Sequence, residues 1–297
     1  MSNIITIALL PVTSQDPLSR FIGSHRAASW KRNDTGESPF ADAGISSWIE
    51  WSSKNGTRLE VMRELPSPRE CGYSKSQIDD LQQFPPTVQR FLFPIAAFRK
   101  YGHDCNVAMV DADTIVSPDA PSIFDEPHKA DVGLIIDHEW NEWKSASCKA
   151  FAPLFPDVAL DRSLYFNDGV TVLHNPILAE EFINFTLTRS SEFLSVMDGE
   201  VGTDQTPLNF LFQRLKKYGK LSACFLDPRY NVRMDHALAT REPDQSRWST
   251  LARTVVAENF ISHFIMTKEL MPAVWGTMRR ELHPQDQPRN IQKIQPP

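Results

Sequence analysis

Residues 106–116 read NVAMVDADTIV, and no other stretch limits the fold of this chain as much. After Asn106, the residues up to Val110 are wholly apolar and carry no charge or turn-former. Such a run reads as a strand buried on both faces, as found in parallel sheets covered by helices. It passes directly into two carboxylates, Asp111 and Asp113, with Ala112 between them. In open α/β sheets, ligands bind at the carboxyl ends of strands. On an extended chain, side chains at i and i+2 point the same way. The pair is therefore expected to share one hard cation, Mn2+ or Mg2+, which would neutralise a departing diphosphate. The alternative reading is an ordinary strand end with two solvated aspartates.

The rest of the chain repeats the strand–helix alternation. Strands are expected at 4–12, 58–65, 132–136, 165–173, 221–226 and 260–265. Helices are expected at 41–53, 88–100, 176–195 and 204–218. In the first of these, Ile45, Trp48, Ile49 and Trp51 form the apolar side. The second carries Phe91, Ile95 and Phe98 at helical spacing and stops at Tyr101-Gly102. Residues 13–38 are polar and read as a loop or lid, and 66–80 as irregular. The pattern predicts an α/β fold, a mostly parallel sheet flanked by helices. Residues 1–283 are expected to form one domain, and 284–297, rich in Pro and Gln, a mobile tail.

Bulk properties weigh against several classes. A net charge of −6 over 297 residues argues against a broad nucleic-acid footprint. The four cysteines, Cys71, Cys105, Cys148 and Cys224, form no CxxC pair, so zinc-type spacing is absent and reduced thiols are expected. No run approaches the ~20 apolar residues that span a bilayer, and the N-terminus lacks a basic n-region. A cytoplasmic protein with no transmembrane segment is expected.

Residues 89–116, a helix holding Arg90 and Pro94 followed by VDADTIV, resemble glycosyltransferase family 8. That family includes glycogenin-like and bacterial lipopolysaccharide galactosyl- and glucosyltransferases. Three further segments resemble its elements in the same order. YFNDGVTVLHNP (165–176) is similar to its FNSGVMLIN strand, GTDQTPLNFLF (202–212) to its DQDALN helix start, and FLDPRYN (225–231) to its LPxxYN element. The resemblance runs over residues 4–265, with the clear matches between 88 and 265.

The resemblance implies a GT-A fold and a metal-dependent hexosyl or pentosyl transfer from a nucleotide-sugar, a UDP-sugar, with retention of configuration. By position it assigns Asp111 and Asp113 to metal and donor, with Ala112 on the donor side. Arg90 falls on a donor-contacting residue, and Asn167 and Gly169 on the sugar-side turn. Asp204 and Gln205 fall beside the transferred sugar, and Ala8 and Leu10 on the backbone that holds the base. His263 in SHFIMTKEL falls on the family's third metal ligand and Lys268 on its phosphate lysine, although the family's HFxGxxKPW is one residue longer and keeps a Gly. Asp168 stands where the family has Ser, which gives the acceptor side, together with Asp204 and Gln205, an added carboxylate.

Each residue also has a plainer reading. Arg90 fits a solvated helix position, and Gly169 a strand bulge. Asp204 or Thr203 fits a helix N-cap, and His263 a buried imidazole bonded to a carbonyl. The aromatic stretch 138–143 fits either a sugar platform or a loop anchor. Two other functions use the same aspartates: a nucleotidyltransferase or hydrolase acting on nucleotide-sugars, and a sugar-binding protein without turnover. The chain has no GxxxxGK[ST] phosphate loop. The acceptor is open among glycans, lipid-linked sugars, proteins, small molecules and modified nucleic acids.

Overall fold

A computed structural model describes residues 2–10, 39–125, 130–197 and 204–283. The expected lid at 13–38, the tail at 284–297 and Thr203 lie outside the described residues. In chain order the strands are β1 (Asn3–Ala8), β2 (Arg58–Met62), β3 (Asn106–Val110), β4 (Thr114–Val116), β5 (Val132–Ile136), β6 (Phe166–Leu173), β7 (Ala223–Phe225), β8 (Val232–Arg233) and β9 (Ile261–His263). The longer helices are α1 (Pro39–Asn55), α2 (Leu92–Tyr101), α3 (Glu142–Phe151), α4 (Ile177–Thr188), α5 (Ser190–Met197), α6 (Gln205–Lys217), α7 (Met234–Arg241), α8 (Trp248–Glu258) and α9 (Met271–Leu282).

Six strands form the central sheet in the order β2-β1-β3-β6-β5-β7. All neighbours are parallel except at β6, which runs antiparallel to both β3 and β5. The sheet is buried on both faces. Along β3, Val107 and Met109 enter one apolar cluster, with residues of α2, α4, α5 and α6, while Ala108 and Val110 enter the opposite cluster, with Trp48 and Trp51 of α1. That is the two-residue alternation of a strand, and it explains why the segment is apolar throughout.

A second sheet, β4-β9-β8, carries the chain away from the end of β3. Its β4 and β9 are antiparallel with Thr114 opposite His263, which brings the histidine beside Asp113 although 150 residues separate the two in sequence. Helix α1 braces this junction from outside. A Cβ on Gly44 would lie 2.4 Å from the Ala112 carbonyl oxygen and 2.9 Å from that of Thr114, so only a glycine lets the helix approach. Next to it, the Trp48 indole donates to Thr114 Oγ1 at 2.9 Å, and that hydroxyl donates to the Asp111 carbonyl at 2.6 Å.

Several boundaries differ from expectation for identifiable reasons. β1 ends at Ala8 and β2 at Met62, shorter than the apolar runs suggest. Ile49 is 52% exposed, because the buried stripe of α1 runs through Ala41, Ile45, Trp48, Trp51 and Ser52 and Ile49 falls beyond its edge. The expected helix at 88–100 is split. Pro94 has no N–H to give the Arg90 carbonyl, which instead accepts from Phe93 at 3.1 Å, and helix α2 starts only at Leu92. The 176–195 helix likewise divides into α4 and α5 at Arg189. Residues 66–80 are not irregular: they hold helical turns Pro68–Cys71 and Lys75–Leu81, the first opened by Glu70 accepting from the Ser67 N–H and hydroxyl, the second by a reciprocal capping box of Ser74 with Gln77. Among the described residues no helix is long and apolar enough to cross a membrane. All four cysteines are free, and burial pushes the Cys148 thiol up to about 11.

Candidate active site

Asp111 and Asp113 sit at the carboxyl end of β3, as expected, but the link between them is not extended. The Thr114 N–H closes a turn onto the Asp111 carbonyl at 3.2 Å, so the argument from extended i,i+2 geometry fails here. The carboxylates converge nonetheless, because the turn folds both toward His263. Each is tied by one oxygen and open at the other. Asp111 Oδ1 is held by Arg90 Nη1, and its Oδ2 lies 3.4 Å from His263 Nε2. Asp113 Oδ2 is held by Lys268 Nζ at 2.7 Å, and its Oδ1 lies 3.2 Å from His263 Nε2. Three ligand atoms of Asp111, Asp113 and His263 thus come within 4.8 Å of one another. Burial alone would raise the Asp113 carboxyl, but the Lys268 ammonium and the His263 imidazole outweigh it and hold it well below the usual carboxylate range.

Arg90 is the second organising residue. It is 5% exposed, not the solvated helix residue its position allowed. Besides Asp111, its Nη2 lies 2.8 Å from Asp168 Oδ2 and 3.1 Å from Asp204 Oδ2, so one guanidinium binds three carboxylates from β3, β6 and the start of α6. Burial would lower the Arg90 pKa, and Asp168 and Asp204 overcome that and raise it. Asp168 responds differently. Burial, and then the Asp204 charge, push its carboxyl up to about 7 against the pull of Arg90. Its Oδ2 pairs with Arg90 electrostatically yet accepts no well-directed hydrogen bond. Asp204 is the residue before α6, but its side chain makes no cap bond and goes to Arg90 instead. The plain N-cap reading of Asp204 is therefore overturned.

Asn167 and Gly169 lie within β6 and face this cluster. The Gly169 N–H donates to Asn167 Oδ1 at 2.9 Å, and its carbonyl accepts from the Asp111 N–H at 2.9 Å. A Cβ on Gly169 would lie 2.3 Å from His263 Cε1 and 2.5 Å from Nδ1, so the glycine makes room for the imidazole, and it lies where the β5–β6 register shifts between Asn167 and Val172, as the bulge reading allowed. Asn167 Nδ2 donates to Gln205 Oε1 at 3.3 Å, and Gln205 Nε2 reaches Asp137 Oδ2 at 3.5 Å. Ala8 ends β1 next to the end of β3, one step past the Ile7–Val110 pair, and Leu10 is buried. Ala112 is half-buried between the two aspartates.

Three residues of this network carry no assignment from sequence. Asp137 follows β5 as Asp111 follows β3, so the strand-end rule applied to VGLIID would have found it. Its buried partner Lys144, on α3, lies 2.6 Å from its Oδ2, and no periodicity marks that lysine. Asn231, within FLDPRYN, lies 3.1 Å from His263 Nδ1 through its Oδ1. The aromatic stretch anchors its loop: Trp140 meets Tyr165 edge-on at 5.5 Å, lies under the Arg162 guanidinium at 4.5 Å and donates to Ser145 Oγ at 2.7 Å.

No protein-family profile and no curated protein sequence matches this chain. Solved structures do. A glycosyltransferase involved in glycosylation of the major capsid of PBCV-1 superposes over 93% of this chain and 100% of its own, with TM-score 0.50 and 11% identity. The fold is that of the GT-A glycosyltransferases. Two others align less closely: the galactosyltransferase LgtC in complex with donor and acceptor sugar analogues (TM-score 0.48, 16% identity, 92% of this chain and 95% of that one), and mouse xyloside xylosyltransferase 1 (0.42, 11%, 90% and 99%). The Asp111–Asp113 turn, the β6 segment and the start of α6 meet at the carboxyl end of β3.

Proposed function

We propose that this chain is a metal-dependent glycosyltransferase that moves a sugar from a nucleotide-sugar, a UDP-sugar, to an acceptor hydroxyl with retention of configuration. The observation that carries the reading is the convergence of one ligand atom each from Asp111, Asp113 and His263 within 4.8 Å, with His263 Nε2 3.4 Å from Asp111 Oδ2 and 3.2 Å from Asp113 Oδ1, at the strand end of a GT-A fold. The donor set fits a divalent cation. Two carboxylate oxygens and an imidazole nitrogen suit Mn2+ or Mg2+ with positions left for phosphate oxygens, and the other oxygens of both carboxylates are already engaged by Arg90 and Lys268. A bound cation would offset charge on the departing diphosphate.

The remaining roles belong to side chains. Arg90 holds Asp111, Asp168 and Asp204 in fixed relation, which preorganises the sugar side before the donor arrives. Asp204, Gln205 and Asn167 then orient the transferred sugar, and Gly169 keeps the backbone close to it. Asp168, its carboxyl pushed up to about 7 by burial and Asp204, is protonated in a substantial fraction of molecules near neutral pH and can then donate a hydrogen bond where the family's serine would. Ala8 and Leu10 hold the base through backbone groups, with Ala112 on the donor side and Lys268 on phosphate. The chain from 1 to 283 acts as one catalytic domain. Crystals soaked with Mn2+ and UDP should show anomalous density bounded by Asp111, Asp113 and His263. Density at any other place, or none, would refute the site.

A further inference from the structure

The amide groups behind His263 form a chain whose hydrogen-bond polarity is set by backbone atoms. The Gly169 N–H can only donate, and it lies 2.9 Å from Asn167 Oδ1, which must therefore be the oxygen of that amide. Asn231 meets Asn167 at two acceptors, Oδ1 at 2.8 Å and the main-chain carbonyl at 3.4 Å. Facing two acceptors, Asn231 must present its NH2 there, and its Oδ1 is left for His263 Nδ1 at 3.1 Å. An amide oxygen has no proton to give, so the proton in that contact belongs to the imidazole. Gly169 is buried, and so are the three side chains: Asn231 is 7% exposed, His263 3% and Asn167 6%.

We infer that Asn231 is the positioning residue of the cation site: it holds a proton on His263 Nδ1 and thereby reserves Nε2 for the cation between Asp111 and Asp113. The inference rests on the cation site proposed above. A ligating histidine commonly donates its second N–H to an oriented acceptor, which fixes tautomer and ring rotation. Here the acceptor is an uncharged amide, fixed in turn by the β6 backbone. Asn231 is not among the three residues whose ligand atoms converge at the cation site. The other arm of the same chain runs from Asn167 Nδ2 to Gln205 Oε1, so the Gly169 N–H orients the amides on both sides of the site.

The test uses the full chain with 15N-labelled histidine rings, read by NMR without substrate, both metal-free and saturated with diamagnetic Mg2+; His263→Asn assigns the signal. His263 Nδ1 should be protonated in both states, with only Nε2 changing character on Mg2+ addition. An unprotonated Nδ1 in either state would overturn the inference and leave the glycosyltransferase reading standing. Asn231→Leu, checked for folding by its amide spectrum, should weaken Mn2+ binding by roughly 10- to 100-fold, the usual cost of losing such a partner. Unchanged Mn2+ affinity in that variant would also overturn it. Failure of the wild type to bind Mn2+ at all would remove the site and the inference together.

Discussion

Gly169→Ala is the sharpest perturbation of the site, because its magnitude follows from distances. The new methyl carbon would stand 2.3 Å from His263 Cε1 and 3.0 Å from Asn167 Oδ1. Carbon–carbon contacts become favourable only near 3.5 Å, so the ring must recede by about 1 Å. Metal ligands tolerate about ±0.2 Å around their preferred distances, so that shift takes the imidazole out of coordination range. Gly169 has no left-handed φ, so alanine strains no backbone there, and the three nearest neighbours of the methyl are side-chain atoms. Overpacking of this size costs about 1–3 kcal/mol of stability, which leaves the fold intact in a domain of ordinary stability. Mn2+ affinity, measured by calorimetry or by the electron paramagnetic resonance of free Mn2+, should fall by at least about tenfold, or ~1.4 kcal/mol. A folded Gly169→Ala protein with wild-type Mn2+ affinity would refute the packing argument and the ligand role of His263 together.

Three further outcomes are expected. Asp113→Asn should abolish Mn2+-dependent donor turnover while circular dichroism stays unchanged, and retained turnover in excess Mn2+ would count against the ligand set. Asp168 has a folded-state carboxyl raised to about 7 by burial and Asp204, above its unfolded value of about 3.9. For a raised acid the folded state binds the extra proton, so this group costs nothing below about pH 4 and destabilises progressively as pH rises to about 7. Asp168→Asn should therefore gain thermal stability relative to wild type as pH increases through that window, and a constant difference in Tm across it would contradict the assignment. Gln205→Ala should lower kcat by far more than it weakens UDP binding, since the proposed function puts the residue by the sugar and not the diphosphate, and equal losses in both would misplace it.

The parts of this site that were legible in sequence are those encoded by one strand and the residue after it. Asp111 and Asp113 follow an apolar run whose burial on both faces can be read from Val107, Ala108, Met109 and Val110 alone. The convergence with His263 was not legible in that way, because it depends on the Thr114–His263 register of a small sheet whose β4 and β8 are only three and two residues long. The centrality of Arg90 was hidden for a similar reason. A lone arginine reads as solvated until the tertiary fold brings Asp168 and Asp204 to it. Local competition explains the boundary differences: Pro94 deprives the Arg90 carbonyl of its partner and breaks the helix there. Other signals stand in the sequence itself, among them the helix starts Ser67–Glu70 and Ser74–Gln77 and the strand-end aspartate Asp137.

The central claim is that the convergent Asp111, Asp113 and His263 support a cation-dependent transfer from a nucleotide-sugar. The direct measurement is UDP release from a panel of UDP-sugars by the purified protein, with Mn2+, with EDTA, and with Mn2+ restored after EDTA. The account predicts slow release from at least one UDP-sugar, water serving as the acceptor, that is silenced by EDTA and recovered with Mn2+. Release of UMP and a sugar phosphate, or UDP release that EDTA leaves untouched, would contradict it.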